Sequence, residues 1–373
     1  MSATALQWAV AGGGTGGHVT PALAIAEEVA ARGERVFLLG SPYGLETRLV
    51  PEAGFELIAL PARQVMGQGL LGRLRAAVTI AAGCFAARSV LRKRRPNVVV
   101  SVGGYASLPA VVAAASLGIP VALVEPNAKP GRANRLMARF ASRIFVQFEE
   151  AAATLGRRPG DPRVAPLGIP LRRALVEAFS PGDARRQPSQ PLHVLVFGGS
   201  QGATQINEAM MECANALRDG PFEVFHQTGE ADRERVTAAY ARAGLAATVV
   251  AFESDMPKRY READVALCRS GALTVAELAM AGLPSLLVPY PFAADDHQAA
   301  NAQALARAGA ARVLPNRPLA ASDVARALSE LAAAPDTLIA MGESARALAR
   351  PDAAARIVSA CASLCRPGEE PAA

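Results

Sequence analysis

The stretch GGGTGGH, residues 12–18, follows the apolar residues 8–11 and precedes a helical pattern that begins near Pro21. Glycines let a backbone approach a ligand closely, and the free N–H groups at a helix start carry partial positive charge. The stretch therefore predicts a strand, a glycine turn and a helix N-terminus that receives a phosphate. The imidazole of His18 would lie at the edge of this anion site.

Two similar glycine turns recur along the chain, each after a run of β-branched residues. They are VGGYAS at residues 102–107 and FGGSQG at residues 197–202. A single turn of this kind can be a tight left-handed turn without a ligand. Three such turns at the ends of strands favour binding sites, because open α/β sheets bind ligands at the carboxyl ends of their strands.

Length and composition narrow the class of protein. A chain of 373 residues predicts two domains, and a hydrophobic content of 51% argues against disorder outside the termini. Five cysteines without a CxxC pair favour a reducing compartment, and only four histidines argue against a metal cluster. The first predicted strand begins by Leu6 with no secretory signal before it, so we expect a cytoplasmic protein.

Strand and helix patterns alternate in both halves of the chain, on either side of a proline-rich linker at residues 164–191. Strands are predicted near 6–11, 35–39, 97–102, 120–124 and 143–147, and again near 192–197, 222–226, 247–251, 264–268 and 284–288. This alternation is typical of parallel sheets with crossover helices. The predicted fold is α/β, with two doubly wound Rossmann-like domains facing each other across a cleft.

The first turn formally satisfies the dinucleotide fingerprint G-x-G-x-x-G. That fingerprint also needs an acidic residue at the end of the second strand, which would hold the ribose of the adenosine. Residues 35–39 run instead into Gly40, Ser41 and Pro42, so an oxidoreductase is disfavoured. The absence of G-x-x-x-x-G-K-[ST] argues against a P-loop nucleotidase.

The second half contains its own constellation, CRSGALTVAELAMAGLP at residues 268–284. A strand ends at Cys268, a Ser-Gly turn follows, and a helix opens that carries Glu277 about two turns in. Its N-terminus can hold a diphosphate, and the carboxylate of Glu277 can accept hydrogen bonds from both hydroxyls of a ribose. The alternative is that Glu277 is a solvated carboxylate on a helix face, which its apolar neighbours argue against.

Five motifs in order, at residues 13–21, 103–105, 125–127, 198–203 and 269–277, resemble the MurG family. Its members are bacterial N-acetylglucosaminyltransferases that convert lipid I to lipid II in peptidoglycan synthesis. The resemblance implies a GT-B fold, with an acceptor- and membrane-facing domain at residues 1–172 and a UDP-N-acetylglucosamine domain at residues 173–346. It also implies that a tail helix at about 347–366 packs back on the first domain.

The resemblance assigns roles to individual residues. Catalysis falls to His18 and Glu125, and acceptor binding to Gly14, Gly104 and Tyr105. The donor-binding set, to which we add Arg269 for its charge, is Thr15, Gly16, Gly17, Asn127, Arg172, Ser200, Arg269, Ala272, Leu273, Thr274, Glu277 and Gln298. Two departures stand out: Ile169 replaces the asparagine expected before Pro170, and the loop before Gln298 is one residue longer than in some relatives.

No Asp-x-Asp motif occurs, so the residues predict an inverting displacement without a metal or another cofactor. Glycine-turn amides, helix N-termini and Arg269 would stabilise the departing UDP. His18 or a nearby carboxylate would deprotonate the muramyl 4-hydroxyl of lipid I. The alternative role of His18 is a ligand contact without proton transfer.

The polyprenyl acceptor implies that the protein visits a membrane. Apolar residues from Leu70 to Phe85 precede a basic cluster at residues 88–95, a combination that suits an anionic leaflet. The alternative is an ordinary core-facing helix with a solvated basic end. We expect a peripheral protein on the cytoplasmic face of the inner membrane and no nucleic-acid partner, since no aromatic platform accompanies the net charge of +6. A UDP-sugar epimerase and a non-catalytic sugar-nucleotide binder remain competing functions.

Overall fold

The computed structural model describes residues 5–62, 70–156, 158, 160–179, 187–199 and 202–365, with only the helical main chain for residues 70–77. The chain divides into two compact units. The first unit combines Met1–Ala174 with Arg350–Ala373, and the second is Leu175–Ala349.

The first unit contains a parallel sheet of seven described strands in the order β3-β2-β1-β4-β5-β6-β7. Strand order reverses between β1 and β4, and such a switch point is where open α/β sheets bind ligands. The strands are β1 Gln7–Gly12, β2 Arg35–Gly40, β3 Leu57–Ala59, β4 Val98–Gly103, β5 Val121–Glu125, β6 Arg143–Val146 and β7 Val164–Ala165.

Helices connect these strands, and apolar side chains fill a core on each face of the sheet. The helices are α1 Gly16–Ala31, α2 Glu46–Glu52, α3 Leu70–Arg94, α4 Leu108–Ser116, α5 Arg132–Met137 and α6 Glu149–Leu155, and a 3₁₀ turn at Tyr105–Ser107 precedes α4. A short helix, α7 Arg173–Ala178, lies where the two units meet along the chain.

The second unit repeats the same topology with six described strands in the order β10-β9-β8-β11-β12-β13. Its switch point therefore lies between β8 and β11. The strands are β8 Leu192–Phe197, β9 Phe222–Gln227, β10 Ala247–Val250, β11 Val265–Cys268, β12 Ser285–Leu287 and β13 Ala311–Val313.

The helices of the second unit surround this sheet, and a large apolar cluster fills one of its faces. They are α8 Thr204–Glu212, α9 Ala214–Arg218, α10 Arg233–Ala243, α11 Met256–Glu262, α12 Ala272–Ala281, α13 His297–Arg307, α14 Ala321–Ala332 and α15 Pro335–Ala347, with a 3₁₀ turn at Ala294–Asp296 before α13.

The last helix, α16 Ala353–Cys365, returns to the first unit. Its residues Ile357, Val358 and Cys361 are fully buried in the core that β1 and α1 also line. The guanidinium of Arg32, the C-cap residue of α1, donates to the carbonyl oxygen of Ala355 at 2.8 Å. The C-terminal segment is therefore an integral part of the first unit.

The α/β class with two parallel sheets is confirmed, and each predicted strand is present near its predicted position. The strands β3, β7 and β13 were not predicted, because they are short and each lies at a sheet edge, where a hydrophobic pattern is weak. The predicted start of the first helix near Pro21 is wrong. The helix begins at Gly16, and Pro21 lies inside it.

Within the described part of the chain, no helix is both long enough and apolar enough to cross a bilayer. Residues 106–124 carry no charged side chain, but they are divided between the 3₁₀ turn, α4 and β5 rather than forming one helix.

Candidate active site

The turn between β1 and α1 places a threonine at the start of the helix and a histidine in its first turn. Thr15 is the N-cap residue, and its carbonyl oxygen accepts from the amides of His18 and Val19, both at 3.1 Å. The hydroxyl of Thr15 lies 3.1 Å from Nδ1 of His18. The contact with the hydroxyl orients the imidazole, and the two main-chain bonds hold the helix turn that carries it.

The second glycine turn lies beside the first, because β1 and β4 are neighbours in the sheet. Gly104 has φ +79°, and a Cβ there would lie 3.5 Å from the His18 ring and 3.3 Å from the carbonyl oxygen of Gly13. Gly14 has φ +90° and faces the ring of Tyr105, with 3.6 Å between a would-be Cβ and the phenol oxygen. The structure therefore brings together Gly14, His18, Gly104 and Tyr105.

Glu125 ends β5 and is only 1% exposed. One carboxylate oxygen accepts from the main-chain amide of Asn127 at 2.8 Å and from its side-chain amide at 3.1 Å. The other oxygen accepts from Nδ2 of Asn134 at 2.8 Å. Burial raises the pKa of this carboxyl to about 7, although these hydrogen bonds oppose the shift.

The side-chain oxygen of Asn134 is buried and has no hydrogen-bond partner among the described residues. When Glu125 is protonated, its O–H can donate to this oxygen once the Asn134 carboxamide turns over. A protonated Glu125 would then have an acceptor for its proton.

The other predicted donor contacts of the first unit are Thr15, Gly16, Gly17, Asn127 and Arg172. Asn127 is bound to Glu125, and Nε of Arg172 donates to the carboxylate of Glu27 on α1 at 2.6 Å. Their contact with a donor stays a prediction.

In the second unit, α12 begins at Ala272 directly after the end of β11, with Gly271 as its N-cap residue. Ala272, Leu273 and Thr274 therefore form the first turn, where main-chain amides have no partner within the helix. Glu277 lies one turn further along and is only partly exposed. These are the positions that the sequence assigns to the nucleotide.

Glu277 accepts a hydrogen bond of 2.7 Å from the hydroxyl of Tyr260, which is itself 1% exposed. Burial raises the pKa of the Glu277 carboxyl to about 7, against the effect of that bond. A carboxylate with a buried partner and a raised pKa is not an ordinary solvated residue on a helix face. The environment therefore favours a functional role.

Arg269 and Gln298 line one cavity of about 760 Å³ at the carboxyl edge of the second sheet. One terminal nitrogen of Arg269 donates to Gln205 and to the carbonyl oxygens of Val288 and Pro289, at 3.1 to 3.2 Å. The Gln298 side-chain oxygen accepts from the amide of Tyr290 at 2.9 Å. Arg269, only 9% exposed, therefore holds the loop after β12 as well as facing the cavity.

The third glycine turn also borders this cavity, through Gly198 and Gly202. Gly199 has φ +100° and its carbonyl oxygen accepts from the Gln227 side chain at 2.8 Å. Gly202, at φ +78°, lies against the carbonyl of Thr228, and a Cβ there would overlap it. Ser200, predicted to contact the donor, lies outside the described residues.

Among the residues that the structure describes, no group of three or more His, Cys, Asp or Glu side chains is placed to hold a metal ion.

Comparison with known proteins shows which protein families match this chain. Residues 8–146 match the glycosyltransferase family 28 N-terminal domain, and residues 193–357 match the C-terminal domain of that family. A protein of Geobacter sulfurreducens is 41% identical over 353 residues, which are 94% of this chain and 96% of that protein. It is named UDP-N-acetylglucosamine--N-acetylmuramyl-(pentapeptide) pyrophosphoryl-undecaprenol N-acetylglucosamine transferase. A protein of Nitratidesulfovibrio vulgaris with the same name is 44% identical over 367 residues, covering 93% of this chain and 94% of its own length.

The chain belongs to the MurG family. The crystal structure of Acinetobacter baumannii MurG matches this chain with a TM-score of 0.79 and 32% identity, covering 96% of this chain and 99% of that one. The GT-B fold expected from the family is thereby confirmed. A putative UDP-N-acetylglucosamine 2-epimerase from Listeria monocytogenes also matches, with a TM-score of 0.71, but at 14% identity that likeness concerns the fold alone.

Sequence reasoning missed several residues of this MurG-family site that hold the predicted ones in place. Tyr260, Asn134 and Gln205 hold Glu277, Glu125 and Arg269 respectively. Each lies between 9 and 64 positions from its partner along the chain. No local motif could reveal such pairs, because the fold brings them together.

Proposed function

We propose that this protein transfers N-acetylglucosamine from UDP-N-acetylglucosamine to the 4-hydroxyl of the muramyl residue of lipid I. The products are lipid II and UDP, and the pathway is peptidoglycan synthesis. The observation that carries the proposal is 41% identity to a transferase of this name over 94% of the chain. Through the cell wall, the same activity would serve cell shape, cell division and the cell cycle.

The second unit supplies the donor side. The free amides at the start of α12 would neutralise the diphosphate, and Glu277 would accept hydrogen bonds from the ribose hydroxyls. Gln298 and Arg269 line the adjoining cavity of about 760 Å³, which has the size of a site for a sugar nucleotide. As the bond from the anomeric carbon to the UDP oxygen breaks, these dipoles and the guanidinium would stabilise the leaving charge.

The first unit supplies the acceptor side. The muramyl 4-hydroxyl oxygen attacks the anomeric carbon from the face opposite UDP, which inverts the configuration at that carbon. His18 takes the hydroxyl proton, since neutral imidazole is a base near neutral pH. Glu125, whose pKa of about 7 also suits a base, is the alternative acceptor of that proton. Gly14, Gly104 and Tyr105 would line the acceptor next to His18.

The test is transfer of labelled N-acetylglucosamine from the UDP sugar to a lipid I analogue, with and without a chelator. We expect labelled lipid II at equal rates under both conditions, because the sequence lacks the Asp-x-Asp motif of metal-bridged diphosphates. Product only after addition of a divalent metal would overturn the metal-free mechanism. Epimerised UDP sugar without lipid product would favour the epimerase instead.

Peripheral binding to an anionic membrane on the cytoplasmic face is part of the proposal. Val78 and Phe85 on α3 are 63% and 76% exposed. The same helix ends in basic residues, of which Arg92 and Lys93 are exposed and Arg94 pairs with Glu56. Ala87 and Leu91 of the same helix are buried in the core, so the core-facing alternative describes one face of α3 and the proposed membrane contact the other. An exposed apolar face next to cations suits a leaflet of anionic lipid. The side chains of Leu70, Leu71 and Leu74, predicted to share this surface, lie outside the described residues.

Flotation with vesicles that contain anionic phospholipid tests this surface. We expect the double variant Val78→Ser, Phe85→Ser to lose at least half of its vesicle-bound fraction, because each apolar side chain buried in lipid contributes about 1.5 to 3 kcal/mol. Phe252→Ser is the matched control, since Phe252 is 60% exposed in the second unit. Equal flotation of the double variant and the wild type would contradict the proposal.

A further inference from the structure

The first glycine turn is occupied by a carboxylate of the chain itself. Glu46, the first residue of α2, is fully buried and turns back toward β1 and β2. One of its oxygens accepts from the main-chain amide of Gly14 at 2.8 Å. The other accepts from the amide and the hydroxyl of Ser41, at 2.8 and 2.7 Å.

Three glycines make room for this carboxylate. A Cβ at Gly13, Gly40 or Gly44 would overlap the Glu46 side chain. None of the three has a positive φ. Space around Glu46, rather than backbone conformation, is therefore what excludes a side chain at these positions. Gly13 lies in the first glycine turn, Gly40 ends β2, and Gly44 lies in the loop before α2, and all three leave room for the Glu46 side chain.

The contact changes the interpretation of the turn. Amides of glycine turns attract anions, and the sequence alone predicts a phosphate there. The Gly14 amide, however, already donates to a buried anion. Because a second anion at this amide would be repelled, the Gly14 end of the turn is unavailable to a diphosphate. Nor can Glu46 hold a ribose, since its carboxylate is enclosed by the protein.

From Gly14 the chain of contacts leads directly to the imidazole. Gly14 precedes Thr15, whose carbonyl oxygen starts α1 and whose hydroxyl lies 3.1 Å from Nδ1 of His18. On its other side Gly14 meets the ring of Tyr105. Fixing the amide of Gly14 therefore fixes both the helix start that carries His18 and the surface that Tyr105 shares.

We propose that Glu46 is a positioning residue for transfer, an internal anion that holds the turn at residues 12–15 so that His18 faces the acceptor hydroxyl. The proposal rests on the proposed function only for its effect on rate. The position of His18 can be measured without any substrate. Donor binding should depend on Glu46 much less than the rate does, because α12 and the cavity around Gln298 belong to the second unit and only Thr15, Gly16 and Gly17 of the predicted donor contacts lie near the held turn.

Glu46→Gln tests this with little change in shape. The Gln amide group must face either the Gly14 amide or the Ser41 amide, so one donor loses its acceptor. We expect kcat for transfer to fall about 10- to 100-fold, the cost of a small misplacement of a reacting group. The KM for UDP-N-acetylglucosamine should change less than about threefold, since mutations that disturb only the reacting geometry spare ground-state binding. Glu52→Gln, at an exposed position of the same helix, is the matched control.

The second readout is the imidazole signal of His18 in NMR spectra of the full-length protein labelled at histidine. With four histidines in the chain, the His18 signal can be assigned from the spectrum of His18→Gln. In Glu46→Gln we expect this signal to shift while those of His193, His226 and His297, all in the second unit, stay in place. This shift tests Glu46 even if the wild type transfers no sugar, an outcome that would overturn only the proposed function.

Ser41→Ala provides a milder variant in case Glu46→Gln does not fold. It removes one of the three bonds to the carboxylate and should lower kcat about three- to tenfold, as expected for one hydrogen bond. The proposal is overturned if the folded variants keep wild-type kcat, if kcat falls while the His18 signal stays unmoved, or if the donor KM rises as much as kcat falls.

Discussion

Replacing His18 with alanine is expected to lower the single-turnover rate of transfer by about 10²- to 10⁴-fold, the contribution of a positioned general base. In the wild type the rate should rise with pH over the range in which the base loses its proton. His18→Gln keeps a polar side chain but cannot accept the hydroxyl proton at these pH values. We therefore expect this variant to lose both the rate and the rise with pH, in measurements between pH 5.5 and 9.

Glu125→Gln separates the two candidate bases. Burial raises the pKa of Glu125 from 4.5 to about 7, so this carboxyl is mostly protonated at pH 6 and mostly ionised at pH 8. A rise in rate with pH is therefore also expected if Glu125 is the base. If His18→Gln keeps that rise and Glu125→Gln abolishes it, Glu125 is the base and His18 only a contact. His193→Gln, a change at a half-buried histidine in β8, is the control for histidine replacement.

Glu277→Gln should raise the KM for UDP-N-acetylglucosamine about 10- to 100-fold, since hydrogen bonds to a charged group contribute about 1.5 to 3 kcal/mol. The rate at saturating donor should change less. A donor with deoxyribose in place of ribose gives the sharper test. Its weaker binding to the wild type should largely disappear in Glu277→Gln, because the variant no longer distinguishes the two sugars. Equal discrimination by both proteins would contradict ribose recognition by Glu277.

The affinity for the donor should also depend on pH. Burial raises the pKa of Glu277 from 4.5 to about 7, so its carboxylate form gains population as pH rises from 6 to 8. Donor KM should therefore fall over this range in the wild type and stay level in Glu277→Gln. Tyr260→Phe removes a bond that favours the ionised form, which should move the fall in KM to higher pH. Glu262→Gln, on the exposed side of α11, is the control.

The fold could be predicted largely from the sequence, because long β-branched runs such as residues 98–102 alternate with helical patterns and glycine turns. The short strand β13, with three residues, gave no comparable signal. Helix starts were harder to predict. Pro21 looked like a first-turn residue, yet α1 tolerates it inside and begins at Gly16.

Some residues of the candidate site could likewise be predicted from the sequence, and others could not. Glu277 could be predicted because it shares a continuous motif with the turn before it. Glu46 could not, because the dinucleotide fingerprint requires an acid at the end of β2, where the sequence has none, whereas the acid that reaches this point lies six residues beyond Gly40. Only the path of the loop at residues 41–45 brings its carboxylate back to Ser41. Contacts of this kind depend on loop conformation, which spacing does not encode.

The return of α16 to the first unit has a consequence for synthesis on the ribosome. The second unit is a continuous segment, Leu175–Ala349, and can be completed while the chain is still being elongated. The first unit is begun earlier, yet its core lacks Ile357, Val358 and Cys361 until the last helix emerges. The unit that is begun first is thus completed after the second one, and part of its core stays exposed to solvent until α16 has emerged.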